Sequence, residues 1–396
     1  MSKYDIVVFG ASGFTGARTA KYLAKDHGLR LAIAGRSKKK LEAVASTLGR
    51  DVGIIEAASE DHAAIDRMAA AARVVVTTAG PYARYGTPVV DACVAHGAHY
   101  ADITGETAWV RDMIDKHHHA ARQKRVKIVP FCGFDSVPSD LGAFLAATTL
   151  RRSHGEACRK VEAFFTIKGG VNGGSFATML NFGETGEQRR MALPFLLSEG
   201  PRPNARVEKE SRDVRSVFRH AKLDRWVSPF VMGTINTRVV RRSHSLLTAE
   251  GQGYGEDFVY QEYQASKSRA AALAMTAGLA AINALVSRPL TRRLLEKVGP
   301  KPGVGPSEAA IENGFFRTTL LGTGDSGGEV WVELSGQGDP GNWATVRFLG
   351  ESALALAEGR DLPERYGVLT PASGIGEVLA DRLRRAGLKV DVTPKR

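Results

Sequence analysis

Three glycines at intervals of three, Gly10, Gly13 and Gly16 in the run GASGFTG, are the clearest ligand-holding feature of this 396-residue chain. They directly follow the apolar run Tyr4 to Phe9 and open a helical pattern at Phe14. A strand that turns on glycines into a helix presents backbone N–H groups to an anion, and the helix dipole reinforces them. Gly10 permits the tight turn, Gly13 lets the backbone touch a diphosphate, and Gly16 lets the helix pack close. Ser12 and Thr15 add hydroxyl donors on either side of Phe14. The spacing is G-x-x-G-x-x-G rather than G-x-G-x-x-G, but the physical need is shared, and the strand–turn–helix context makes the motif informative.

The second apolar run, Leu29 to Ala34, ends in Gly35-Arg36-Ser37-Lys38. An NAD site places a carboxylate there to accept hydrogen bonds from the ribose. Here no carboxylate stands in the way of a 2′-phosphate. Arg36 can fork onto such a group and Ser37 can donate to it. NADP(H) is therefore the expected cofactor, with a solvated loop arginine as the bland alternative.

Candidate catalytic groups cluster at later strand ends. Gly80 and Pro81 close the fourth apolar run and are expected to border the nicotinamide and its ribose. Tyr82 and Tyr85 follow and are expected to face the cleft as hydrogen-bond donors, although a packing role for Tyr82 competes. Asp135 and Ser136 precede a helical pattern whose first N–H groups can assist a developing oxyanion. Asp102 and Glu106 suggest a carboxylate pair, yet Glu106 also suits the first turn of a helix. His117-His118-His119 reads as a solvated helix face, because adjacent helical positions diverge and cannot share a metal. Tyr263 and Lys267 spell the Y-x-x-x-K pair of short-chain dehydrogenases, but they lie far beyond the sheet that would present them.

The elements that must position these residues alternate. Short β-branched runs and amphipathic helices succeed each other to about residue 131, the pattern of βαβ units on a parallel sheet. The expected fold class is α/β: a Rossmann-type parallel-sheet domain plus a second α+β domain with a mixed or antiparallel sheet. The expected partition is 1–140 for the NADP-binding domain, 141–355 for a substrate and dimerisation domain, and 356–396 for a helical segment that returns to the first domain. In the second part, Val161 to Ile167, Phe315 to Gly322, Glu329 to Leu334 and Val346 to Leu349 read as strands. Ser373 to Ala386 reads as one amphipathic helix.

Composition narrows the function classes. Hydrophobic residues make up 43% and charged residues 24%, which excludes a disordered or fibrous chain. Three scattered cysteines give neither a disulfide framework nor a zinc site. The amino terminus starts directly with a strand and shows no secretory signal, so a cytoplasmic location is expected. The net charge is +12, and residues 201–245 hold eleven basic and four acidic residues. That stretch is expected to be a solvated face or a docking surface for an acidic partner, such as a carrier protein or anionic lipid; no nucleic-acid module accompanies it. Ala270 to Val286 carries no charge over 17 residues. It reads as a buried or dimer-packing helix, with lipid contact through 201–293 as the alternative.

Taken together, GASGFTG, AGRS, TTAGPYARYG, VVDACVAHGAHYADITGE and GFDSVPSDLG resemble the saccharopine dehydrogenase family, in the branch of trans-acting enoyl reductases. They cover most of residues 1–142; beyond that, GGVNGGSFATML and TPASGIGEVL carry a looser likeness. The resemblance implies NADPH-dependent reduction of an α,β-unsaturated acyl chain tethered to a polyketide synthase that lacks a working reductase. Two rivals stand beside it: a related oxidoreductase of another small substrate, and a non-catalytic NADP-binding protein on a lipid surface.

Overall fold

The structure, a computed structural model, describes residues 2–26, 28–170, 173, 176, 180, 188–299, 301 and 303–395. Much of GGVNGGSFATML, at 171–172, 174–175 and 177–179, therefore lies outside the described residues. Fourteen described strands form two seven-stranded sheets.

The first sheet holds β1 (Tyr4–Phe9), β2 (Leu31–Gly35), β3 (Gly53–Glu56), β4 (Ala72–Thr77), β5 (His99–Asp102) and β6 (Lys127–Val129). The second takes β7 (Cys158–Lys168), β8 (Phe218–His220), β9 (Arg225–Pro229), β10 (Val259–Ser266), β11 (Phe315–Gly324) and β12 (Glu329–Gln337). The chain end adds one strand to each, β13 (Gly367–Val368) to the first and β14 (Lys389–Lys395) to the second.

The first sheet runs β13-β6-β5-β4-β1-β2-β3, and every pairing is parallel. Its strands are short and apolar because both faces are covered. Ile6 and Val8 join the core that continues into the second sheet through Val161, Leu320 and Val330. Val7 and Phe9, on the opposite face, pack with helices α3 (His62–Ala71), α5 (Thr87–His96) and α6 (Thr107–Gln123). The strand order reverses between β1 and β4, and such a switch point opens a crevice at the carboxyl ends.

The second sheet runs β14-β12-β11-β7-β10-β9-β8, antiparallel except for β7 with β10. Helix α7 (Val137–His154) lies across it. A Cβ on Gly142 would meet Leu320 at 2.6 Å, so the small face of α7 sets how closely helix and sheet approach.

Two sequence expectations need correction. Val346 to Leu349 is not a strand but part of the helix Thr345–Glu358, which packs on α1 (Phe14–Leu23), with Gly350 against the Tyr22 ring. A helix buried on nearly all sides shows no alternation, and a four-residue apolar window cannot tell it from a strand. Ser373 to Ala386 is not continuous either. Pro371–Gly374 and Glu377–Arg385 are separate helices, broken at Gly376, whose φ of +67° suits glycine alone.

The returning segment is clamped by a buried cation. Lys127 Nζ, at the start of β6, donates to the carbonyls of Pro363, Arg365 and Gly374 at 2.5 to 3.2 Å. Replacing Lys127 by Met leaves three acceptors without a donor and should cost about 3 kcal/mol. Denaturant unfolding and amide exchange over 363–374 measure this; a change within about 0.5 kcal/mol, the scale of an ordinary surface substitution, would show that the clamp is idle.

Candidate active site

The glycine loop is built by close approach. Gly10 has φ +82°, and its amide and that of Ala11 donate to Ala34 O, tying the loop to the end of β2. A Cβ on Gly16 would lie 2.3 Å from Gly10 O and 2.7 Å from Thr78 Oγ1. At Gly13 the nearest atom to such a Cβ is Gly10 O at 3.3 Å, so its outer side is open. Gly13 caps α1 without a side chain, and no acidic residue stands in the first turn. Among the described residues no acceptor meets the amides of Phe14, Thr15 or Gly16. A cradle of free amides with an open glycine face fits a diphosphate. Ser12 is exposed and Thr15 half-buried beside it. The Phe14 ring turns away, under the Arg18 guanidinium at 4.0 Å and against Gly305.

At the end of β2, Arg36 is exposed and, among the described residues, makes no hydrogen bond or ion pair. Ser37 caps α2 (Lys38–Ala45) with its hydroxyl unspent, and the exposed Lys38, Lys39 and Lys40 follow. Glu56, on the neighbouring β3, takes the Lys38 amide at 3.4 Å. Four cations and an unused hydroxyl at this point suit a phosphate on the adenosine ribose.

Beyond β4, Gly80 and Pro81, joined by a cis peptide bond, lead into α4 (Tyr82–Tyr85). Glu106 holds this turn by accepting the Tyr82 and Ala83 amides at 2.7 and 2.9 Å. The turn's direction decides the fate of Tyr82. Its ring is buried against Trp109, and its hydroxyl donates to Thr77 O at 3.2 Å. Burial, helped by the Asp102 carboxylate, pushes its pKa well above the usual phenol value. The geometry thus takes Tyr82 out of the cleft, whereas Tyr85 remains half-buried with no hydrogen-bond partner among the described residues.

Asp102 and Glu106 do not act as a proton-sharing pair. Asp102 accepts from Tyr100 Oη, Thr104 N and Phe131 N, and burial raises its pKa to about 7. The histidine run also differs from expectation. His117 and His118 are buried rather than solvated, the first on Asp91 and the second between Arg242 and the Val368 amide. They do diverge, and among the described residues no His, Cys, Asp and Glu cluster could hold a metal ion. Tyr263 sits on β10 in the second sheet with its hydroxyl on Glu162, away from the crevice.

The loop after β6 carries Asp135. β6 lies three strands from β1, roughly 14 Å along the carboxyl edge. Phe134 anchors the loop among Phe165, Phe316 and Phe348. Asp135 is partly accessible, has no hydrogen-bond or ionic partner among the described residues, and burial alone raises its pKa to about 6. Of the four residues singled out as catalytic, Asp135 is the one carboxylic acid; it has no partner among the described residues, and burial moves its pKa toward neutrality.

Ser136 is spent structurally. Its hydroxyl donates to Asn236 Oδ1 at 3.0 Å, Asn236 Nδ2 donates to Glu262 Oε1 at 2.9 Å, and Ser139 and Tyr260 donate to Glu262 Oε2. Sequence reading missed Asn236 and Glu262; the polar run Gln261-Glu262-Tyr263-Gln264 within a buried strand was the available signal. The basic stretch is likewise not one solvated face. Arg238, Arg241 and Arg242 are buried, paired with Asp213, backbone carbonyls and Glu199.

A family signature described as the saccharopine dehydrogenase NADP binding domain matches residues 6–129. A trans-acting enoyl reductase of Mycobacterium ulcerans is 37% identical over 420 residues, covering 99% of this chain and 98% of its own. One from Mycobacterium bovis strain BCG is 37% identical over 418 residues, with the same coverage. Apo saccharopine dehydrogenase (L-Glu forming) from Saccharomyces cerevisiae shares the fold, with a TM-score of 0.55 over 99% of both chains at 12% identity. The protein is an NADP(H)-dependent oxidoreductase. Replacing Arg36 by Ala should weaken NADPH binding about 10- to 100-fold and leave NADH binding nearly unchanged, since a charged hydrogen bond is lost only with the phosphate. Titration calorimetry with both coenzymes decides, and equal losses would remove Arg36 from that role.

Proposed function

The chain belongs to the saccharopine dehydrogenase family, in the branch of the trans-acting enoyl reductases, and on that footing we propose that it reduces the carbon–carbon double bond of an α,β-unsaturated acyl thioester during lipid or polyketide assembly. The observation that carries this reading is likeness along the whole chain, 99% of it, to proteins named for that activity. The acyl chain would arrive on the carrier domain of a synthase that lacks its own reductase. The reading puts the protein in the cytoplasm, and three buried free cysteines are in keeping with a reducing compartment.

Bound NADPH would supply the hydride for the β-carbon, and a proton would complete the α-carbon. The chain's own residues do the rest. The free amides at Phe14, Thr15 and Gly16 hold the diphosphate, and Arg36 with Ser37 holds the 2′-phosphate. Gly80 and Pro81 line the nicotinamide end, and Glu106 fixes the turn behind them. Asp135 gives the α-carbon its proton and is recharged from solvent. Tyr85 donates to the thioester oxygen as negative charge gathers there. Ser136 positions the Asp135 loop through Asn236 and Glu262, and Tyr82 packs the wall. Much of the rate would come from placement in a site that excludes water.

Because the acid form of Asp135 acts, turnover should decline as pH rises through about 6. Asp135→Asn should lower kcat roughly 100-fold or more, abolish that pH limb and leave NADPH affinity intact. Tyr82→Phe should keep kcat within about twofold and cost about 1 kcal/mol of stability. The assay is NADPH oxidation with a crotonyl or longer enoyl thioester. No substrate-dependent oxidation with any enoyl thioester would overturn the function. A full-rate Asp135→Asn enzyme would overturn only the proton donor.

A further inference from the structure

Helix α12 (Arg269–Ser287) leaves β10 and exposes nearly all its sides. It is 19 residues long and apolar enough to cross a bilayer, yet only 11% of its apolar window is buried. The expectation of a buried helix therefore fails within the single chain. The next helix, α13 (Pro289–Val298), has no buried residue. Leu290, Leu294 and Val298 form a stripe at every fourth position and are 81%, 60% and 73% exposed. Eight of the eleven exposed large apolar side chains among the described residues fall between Leu273 and Val304. An apolar patch of this extent marks a surface with a partner.

Charge identifies the partner. Residues 267–301 carry seven basic residues and one acidic residue, with Lys267 and Arg269 at one end of α12 and Arg288, Arg292 and Arg293 at the other. Cations at both ends of an apolar helix, beside an amphipathic helix with a basic polar side, match an anionic lipid interface. Chain geometry excludes a crossing. Only Lys267 separates β10 from Ser268, the cap of α12, and Gly305 returns to the Phe14 ring. Ten residues of α13 span roughly 15 Å, half of a hydrocarbon core, and they carry charges. We propose that the hairpin 269–298 lies in the headgroup plane of an anionic bilayer, its leucines among the acyl chains and its arginines at the phosphates. Residues 299–305 link it to Phe14, and Arg18 pairs with Glu308 just beyond, so the bilayer lies beside the cofactor cradle. This inference stands apart from the proposed reduction.

The test is flotation of the full chain with vesicles of phosphatidylcholine alone or with about one-third phosphatidylglycerol, chosen because anionic lipid should strengthen binding by about tenfold or more. The protein should float with the anionic vesicles, and added salt should weaken that binding. Leu290→Asp, Leu294→Asp and Val298→Asp together should abolish flotation without changing NADPH affinity or the thermal midpoint, because all three side chains are exposed. Arg288→Gln with Arg293→Gln should lower binding to anionic vesicles about tenfold or more. A wild-type chain that floats with neither vesicle overturns the proposal, as does a triple variant that floats as well as wild type. A wild-type chain that fails to float but forms a dimer split by the same three substitutions overturns it too, and assigns the face to a second copy.

Discussion

The approach of Gly16 to the Gly10 carbonyl and the Thr78 hydroxyl is the constraint on which the site depends. It holds the start of α1 against the ends of β1 and β4 at the point where the strand order reverses. Three consecutive amides are thereby fixed, and no side chain among the described residues competes for them. A methyl group at Gly16 would push the helix away from the sheet and spread those amides. Under the proposed function, the cofactor would take its position from this contact, and Asp135 and Tyr85 would act relative to it.

A second constraint joins the two sheets. Ser136, Asn236, Glu262, Ser139 and Tyr260 form a buried polar network from the α7 start to β10. Burial raises the pKa of Glu262 to about 7 despite its three hydrogen-bond donors. Removing one member would leave the others unsatisfied in a medium where that is expensive. The network therefore fixes the Asp135 loop in one place, whereas an apolar patch would let it slide.

Most of the first sheet was legible because its strands are short apolar runs buried on both faces, and the glycine triplet sits where the fold needs it. The second sheet was only partly so: β7, β11 and β12 are visible, but β8 has three residues and offers no period at all. The role of Tyr82 was out of reach because it turns on Glu106, twenty-four positions later, which orients the turn. Asn236 stood outside any motif, and its partner Ser136 is a hundred positions earlier. The helix Thr345–Glu358 misled because it is buried all round. In each miss, a contact distant in sequence set the direction of a side chain or an element.

The last thirty residues finish both sheets, β13 at one edge of the first and β14 at one edge of the second. One short stretch thus supplies an edge strand to each sheet, and its detachment would bare an open edge on both and release Lys127 at the same time. The two sheets are thereby coupled: local opening of that stretch loosens both halves together, and neither can fray at this edge alone.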